Sequence, residues 1–183
     1  MEDSDLREDE LSSRCVYQGR LLHVKEDRVR LPNGQESGRE YIVHPGAVAM
    51  VPLLDNGDVL LLRQFRYPLR RDFFEIPAGK IDPGEALEGC GRRELLEETG
   101  YRAERWRLLT TMHPCIGYSD EAIAIYLAQD LTLEGHSRDE DEFLELLQVP
   151  LSEALAWVRD GRISDSKTMA GLLWAEKVVR EEW

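Results

Sequence analysis

Apolar residues occur along the chain in short runs that turn residues separate. Two of these runs, residues 47–54 and 59–65, flank the tetrapeptide Asp-Asn-Gly-Asp at 55–58. Asn-Gly between two apolar runs is the strongest short-range signal of a β-hairpin, so a hairpin is predicted here. Further strands are predicted where apolar residues cluster without helical spacing, at 106–112, 122–128 and 144–149.

Three other segments have the length and the end signals of helices. They cover residues 85–99, 152–160 and 166–180, and Gly100 and Gly161 follow the first two. Glycine is common at this position because it readily adopts the left-handed conformation that ends a helix. Strands interrupted by helices, without regular βαβ alternation, indicate an α+β fold in which helices cover a mixed β-sheet.

Residues 15–44 are predicted to form a small antiparallel sheet ahead of the main domain. Short apolar stretches at 21–24, 29–31 and 41–43 alternate with polar segments, and Pro-Asn-Gly at 32–34 is a turn signal between two of them. A sheet this small usually needs a partner surface to be stable.

The 183 residues are enough for one compact domain with a small appendage. Residues 1–14 are rich in acidic side chains and have little to bury, which predicts a flexible or loosely helical leader. The main domain is then expected to span residues 45–183.

The charge balance narrows the possible partners. Lys and Arg total 23 against 36 Asp and Glu, a formal net charge of -13. Such a protein repels nucleic acids and anionic membrane surfaces, so neither is an expected partner. No apolar run approaches the roughly 20 residues that span a bilayer, and the three cysteines form no CxxC pair. We therefore expect a cytoplasmic protein.

The densest chemistry lies in the first predicted helix. Glu94, Glu97 and Glu98 stand at positions i, i+3 and i+4, within an arc of about 100° on one helix face. Like charges at this spacing destabilise a helix by roughly 0.2 to 0.5 kcal/mol per pair. Arg93 can pair with Glu97 but cannot neutralise all three carboxylates. A solvated charged face is one interpretation of this pattern, and a site for Mg²⁺, which prefers oxygen ligands, is the other.

The surrounding sequence favours the metal site. Residues 79–101 follow the pattern Gly, five residues, Glu, seven residues, Arg-Glu, an apolar residue, any residue, Glu-Glu, any residue, Gly. This segment resembles the signature of the Nudix hydrolases, with Tyr101 where an aliphatic residue is usual. The resemblance implies an α/β/α sandwich with a mixed sheet, and a hydrolase that splits a nucleoside diphosphate linked to another group.

The resemblance also implies roles for individual residues. Glu94 and Glu98 would bind Mg²⁺, or alternatively Mn²⁺, with help from Glu97 and from the backbone carbonyl of Ala78. Arg93 would orient the glutamates.

Three further segments, at 63–68, 75–79 and 114–121, resemble the branch that hydrolyses ADP-ribose and nucleoside diphosphate sugars. Arg66 could donate two hydrogen bonds to a phosphate, although an ordinary acidic partner is the alternative. Glu75 could accept a hydrogen bond from a sugar hydroxyl. By the same resemblance, the N-terminal sheet at 15–44 is expected to form a homodimer, in which Arg39 can reach substrate.

Hydrolysis at phosphorus requires a water molecule that a base deprotonates as it attacks. The acidic run at 139–142 precedes a predicted strand, where solvated charge is the simplest interpretation. The resemblance instead favours Glu140 as the base and Glu142 as an additional metal contact, with Glu121 as the alternative base.

The leading hypothesis is thus a Mg²⁺-dependent pyrophosphatase that converts ADP-ribose or a related nucleoside diphosphate sugar to a nucleoside monophosphate and a sugar phosphate. The alternatives are a nucleoside triphosphate sanitiser, a dinucleotide polyphosphate hydrolase, or a non-catalytic nucleotide sensor.

Overall fold

The computed structural model describes residues 6–135 and 143–182, which divide into two compact units. The first unit contains the chain up to Pro45 together with Cys115–Ala122, and the second contains Gly46–Pro114 and the chain from Ile123 onward. Among the described residues, no helix is both long enough and apolar enough to cross a membrane.

The first unit is built on a three-stranded antiparallel sheet of β1 (Asp9–Gln18), β2 (His23–Arg30) and β3 (Glu36–Val43), in the order β1-β2-β3. The predicted Pro-Asn-Gly turn connects β2 to β3, and Gly34 adopts a φ of 82° there. This region of the chain therefore forms the antiparallel sheet that its apolar pattern predicts.

The first strand begins earlier than predicted. Residues 9–14 belong to β1, so the prediction of a flexible or loosely helical leader over 1–14 is wrong for this stretch. All ten residues of β1 are exposed. The strand therefore has no buried apolar face, and the sequence has no apolar pattern by which it could be predicted. Cross-strand pairing supports it instead, since Arg14 lies opposite Glu26 in the register and donates hydrogen bonds of 2.8–3.2 Å to its carboxylate.

Within its described residues, the second unit contains seven strands in two sheets. They are β4 (Ala47–Pro52), β5 (Asp58–Arg66), β6 (Arg71–Glu75), β7 (Ala78–Lys80), β8 (Tyr101–Met112), β9 (Ile123–Leu133) and β10 (Leu144–Pro150). One sheet has the order β7-β4-β9-β8, with β4 and β9 parallel and the other pairs antiparallel. The other sheet is antiparallel, with the order β10-β5-β6.

The predicted hairpin forms only as a turn. Leu54 N donates to Asp58 O at 2.9 Å, and Gly57 has a φ of 86°. However, β4 and β5 share just one bridge, between Leu53 and Val59, and then enter different sheets. Along its length β4 pairs with β7 and β9, whereas β5 pairs with β10 and with β6, the next strand in the chain. Pairing with these other strands overrides the hairpin signal.

Three helices complete this unit: α1 (Leu87–Thr99), α2 (Leu151–Arg159) and α3 (Ser166–Val179). Their ends agree with the predicted ranges to within two residues. Gly100 ends α1 in the left-handed conformation, with its N–H donating to Leu96 O at 2.8 Å. The side chain of Asp165 caps the N-terminus of α3 by accepting a hydrogen bond from Thr168 N.

The central strand β4 shows how the layers are arranged. Val48 and Met50 belong to a core cluster that includes Leu95 of α1, whereas Val51, on the opposite face, belongs to a second cluster that includes Leu172 of α3. All five side chains are fully buried, which contributes on the order of 1.5–3 kcal/mol each. The mixed sheet thus has helices on both faces, as the predicted α/β/α sandwich requires.

Candidate active site

The helix α1 places its glutamates against the short strand β7. Glu98 Oε2 accepts a hydrogen bond of 2.9 Å from Ala78 N, and only 7% of Glu98 is exposed. The carboxylate of Glu94 lies so close to Gly79 that a Cβ built there would be 1.8 Å from Glu94 Cδ. Glycine is therefore needed at position 79 for Glu94 to occupy its place. Glu97, on the same helix face, is 39% exposed.

Arg93 connects the acidic groups of this site. Its Nη1 donates to Glu94 Oε1 at 2.7 Å and to Glu97 Oε2 at 3.0 Å. Its Nε and Nη2 donate to the two carboxylate oxygens of Glu85, each at 3.0 Å. Nη2 also donates to Lys80 O at 3.3 Å. These contacts support the predicted orienting role of Arg93 and extend it to Glu85.

The same contacts shift the pKa values of Glu85 and Arg93. Hydrogen bonds from Arg93, followed by one from the backbone N–H of Asp82, lower the pKa of Glu85 to about 2. Hydrogen bonds to Glu85 and Glu94 raise the pKa of Arg93, although burial opposes this effect. Glu85 and Arg93 therefore both stay ionised across the physiological pH range.

Cys90 lies on α1 beside these carboxylates and is fully buried. Burial, together with the charges of Glu85 and Glu94, raises the pKa of its thiol to about 12. Cys90 is therefore a thiol at neutral pH and cannot serve as a nucleophile.

The donor set suits a hard divalent cation. Carboxylate oxygens of Glu94, Glu97 and Glu98 and the backbone of Ala78 are the kind of ligand that Mg²⁺ and Mn²⁺ accept. Within residues 6–135 and 143–182, no three His, Cys, Asp or Glu side chains converge so as to hold a metal by themselves. Mg²⁺ usually takes only one or two carboxylates and completes its shell with water and substrate phosphates, so the residues fit this mode.

Arg66 and Glu75 pair with each other. Arg66 Nε and Nη2 donate to the two oxygens of Glu75, both at 2.7 Å. Lys167 Nζ donates to Glu75 Oε2 as well, and to Asp165 Oδ2 at 2.9 Å. Burial alone would raise the pKa of Glu75, but the hydrogen bonds from Arg66 and the charge of Lys167 outweigh burial and lower it.

These four charged side chains line a cavity of about 230 Å³, together with Leu69 and Phe73. Arg66 remains 46% exposed, whereas Glu75 is 5% exposed. Arg66 therefore forms the ion pair with an acidic residue that was the alternative expectation. Because Arg66 also lies on the wall of the cavity, phosphate binding by this side chain stays a prediction.

Other candidate residues belong to the first unit. Arg39 donates to Glu8 and to Ser37 Oγ. Glu121 has one carboxylate oxygen 3.7 Å from His44 Nε2. Glu140 and Glu142 lie outside the described residues.

Sequence reasoning missed Glu85, Asp165 and Lys167. Glu85 was part of the signature but was given no role, and its contact with Arg93 supplies one. Asp165 stands three residues before Thr168, a spacing that is typical of a helix N-cap and that could have been recognised. The contact between Lys167 and Glu75 joins residues 92 positions apart, and no local pattern indicates it.

Comparison with known proteins agrees with this geometry. Residues 43–171 match the NUDIX domain family, and residues 6–42 match the nucleoside diphosphate sugar hydrolase N-terminal domain. The chain is 39% identical to the ADP-ribose pyrophosphatase of Bacillus subtilis, with 89% of each chain covered. It is 38% identical to the methanol dehydrogenase activator of Bacillus methanolicus, with 91% of each covered.

A crystal structure of an ADP compounds hydrolase superposes with a TM-score of 0.88 at 25% identity, covering 99% of this chain and 98% of the other. The family match covers more than half of the chain and contains the glutamate face of α1, Arg93 and Gly79. The chain is therefore a member of the Nudix hydrolase family.

Proposed function

We propose that this enzyme hydrolyses the pyrophosphate bond of ADP-ribose or a related nucleoside diphosphate sugar, releasing a nucleoside monophosphate and a sugar phosphate. The observation that carries the proposal is the face of α1, where Arg93 holds Glu94 and Glu97 and where Glu98 contacts Ala78. The match of residues 6–42 to the N-terminal domain of nucleoside diphosphate sugar hydrolases supports this substrate class.

Nudix hydrolases generally require divalent metal ions, and we propose Mg²⁺ here, with Mn²⁺ as the alternative. Glu94 and Glu98 would hold the ion, assisted by Glu97 and the carbonyl of Ala78. When bound, the ion supplies positive charge that stabilises the pyrophosphate during cleavage. Arg93 keeps the carboxylates in place, Arg66 donates hydrogen bonds to a phosphate, and Glu75 accepts one from a sugar hydroxyl.

A substrate panel with and without chelator tests the proposal. We expect ADP-ribose or another nucleoside diphosphate sugar to give the nucleoside monophosphate and the sugar phosphate. EDTA should abolish turnover, because without the metal ion the carboxylates repel the negatively charged phosphates. Product analysis by ion-exchange chromatography separates the alternatives. A triphosphate sanitiser would release pyrophosphate, and a non-catalytic sensor would release nothing from any substrate.

For the base we propose Glu140, with Glu142 as an additional metal contact. Glu140→Gln should lower kcat by about 10²-fold or more, because an amide cannot take the proton of the attacking water. Mn²⁺ affinity should change little. Glu145→Gln, in the exposed start of β10, is the matched control. A loss of that size in Glu121→Gln, with Glu140→Gln near wild type, would transfer the role to Glu121.

We also propose that the N-terminal sheet joins two copies and that Arg39 then reaches substrate. The exposed apolar side chains of β1, Leu11, Val16 and Tyr17, support an interface on this strand. Light scattering gives the mass in solution, and a monomer at micromolar concentration would contradict the dimer.

The three unpaired cysteines support a cytoplasmic location, and the net charge of -13 argues against nucleic acid and membrane partners.

A further inference from the structure

Residues 75–78 form a short connection between β6 and β7 on which two parts of the site depend. Ala78 N donates to Glu98, and Glu75 holds Arg66. Pro77 O accepts a hydrogen bond of 3.0 Å from Met50 N, which ties the connection to β4. A shift of this connection would therefore move the partner of Glu98 and the partner of Arg66 together.

The N-terminus of α3 holds the connection from the other side. Thr168 Oγ1 accepts a hydrogen bond of 2.9 Å from Ile76 N and donates one of 2.6 Å to Asp165 Oδ2. The same Asp165 oxygen accepts from Thr168 N at 3.0 Å and from Lys167 Nζ at 2.9 Å. The helix cap and the connection are thus joined through one hydroxyl.

The Thr168 hydroxyl lies in the protein interior, where an unpaired polar group would destabilise the fold. Thr168 is 0% exposed and Ile76 is 1% exposed. A buried hydroxyl is tolerated only when it is hydrogen-bonded, and a valine of nearly the same shape would fill the space without that requirement. Asp165 caps the helix through Thr168 N, so the cap itself does not need the Thr168 side chain.

We propose that Thr168 is a positioning residue for the active site, because its hydroxyl transmits the fixed geometry of the α3 cap to residues 76–78 and so to Glu98. The role of Glu98 in metal binding, on which this inference rests, is part of the proposed function. Thr168 lies 70 residues after Glu98 in the sequence and outside the Nudix signature. It acts through the backbone and does not contact the reacting atoms.

The test compares Thr168→Val with Thr168→Ser. Mn²⁺ binding to the full-length protein is followed by electron paramagnetic resonance without nucleotide, and kcat and KM are measured separately. We expect Thr168→Val to weaken Mn²⁺ binding and to lower kcat by about ten-fold each. This is the low end of the 10- to 100-fold cost of losing a direct partner of a metal ligand, because Thr168 acts on Glu98 only through residues 76–78. KM should rise as well, because the same shift moves Glu75 and with it Arg66, and Thr168→Ser should restore all three values.

Val149→Ala is the control for general destabilisation, since Val149 is a buried residue of β10, a strand that pairs with β5 and not with residues 75–78. It should lower the melting temperature while Mn²⁺ affinity stays at the wild-type value. The proposal is overturned if Thr168→Val binds Mn²⁺ and turns over within two-fold of wild type, or if Val149→Ala shows the same losses at the same melting temperature.

Should Thr168→Val not fold, Thr168→Ala replaces it, since alanine also removes the hydroxyl that accepts the hydrogen bond from Ile76 N. The same shift in Mn²⁺ affinity is expected, and wild-type affinity would overturn the proposal. Mn²⁺ binding is measured without substrate and so does not depend on turnover. If the wild-type protein bound Mn²⁺ but hydrolysed none of the substrates, the proposed function would be refuted, and the binding comparison between the Thr168 variants could still be made.

Discussion

Glu98→Gln is expected to lower kcat by at least about 10²-fold while the protein remains folded. Loss of a partner of a metal ligand typically costs 10- to 100-fold, and loss of a ligand itself should cost no less. The glutamine retains an oxygen that can accept the hydrogen bond from Ala78 N, so the contact between α1 and β7 is preserved. Steady-state kinetics with saturating Mg²⁺, together with thermal melting, measure the two effects.

Glu88→Gln is the matched control for this substitution. Glu88 lies on the same helix, is 49% exposed and pairs with Arg92 at the surface. An exposed ion pair of this kind contributes little, so both turnover and melting temperature should stay near wild type. If Glu98→Gln also kept near wild-type rates, the assignment of the glutamate face to metal binding would be wrong.

Gly79→Ala is expected to have the next largest effect. The added Cβ would lie 1.8 Å from Glu94 Cδ and 1.9 Å from Glu94 Oε1, so the carboxylate has to move away from β7. A displacement of about 1 Å in a catalytic constellation can cost 10²-fold in rate, and we expect a loss of that order in kcat/KM. Mn²⁺ binding should weaken in parallel.

Gly89→Ala is the matched control for Gly79→Ala, because it is also a change from glycine to alanine but causes no collision with Glu94. Position 89 lies in α1, and its added Cβ would meet only Glu85 Cγ, at an ordinary 3.9 Å. Alanine is favoured over glycine within a helix by roughly 0.5–1 kcal/mol, so this variant should be slightly more stable and fully active. Wild-type kinetics in Gly79→Ala would mean that the position of Glu94 does not matter for turnover.

Much of the fold could be predicted because its signals are local. The helix α1 ends at a glycine, and β4 and the first six residues of β9 are continuous apolar runs whose alternate residues face opposite layers. The spacing of Glu94, Glu97 and Glu98 likewise depends only on the helical repeat. Features that belong to a single element were therefore accessible from the sequence.

The features that were missed depend on pairing between different elements of the fold. The strand β1 is stabilised by partners in β2 rather than by an apolar face, and the predicted hairpin separates because β4 and β5 pair with other strands. The hydrogen bond between Ile76 and Thr168 and the ion pair between Glu75 and Lys167 both join residues 92 positions apart. Nothing in the local sequence specifies such contacts, since they arise from the packing of α3 beside residues 75–78.

The double pairing of Glu75 has a consequence for how Arg66 can meet a phosphate. A buried carboxylate that loses its only counter-charge is strongly destabilising, which would normally lock an arginine in place. Lys167, however, donates a hydrogen bond to the same carboxylate, so Glu75 has a second counter-charge besides Arg66. If Arg66 binds phosphate as proposed, its guanidinium would leave Glu75 with Lys167 as the remaining counter-charge, and the exchange of carboxylate for anion would be reversible.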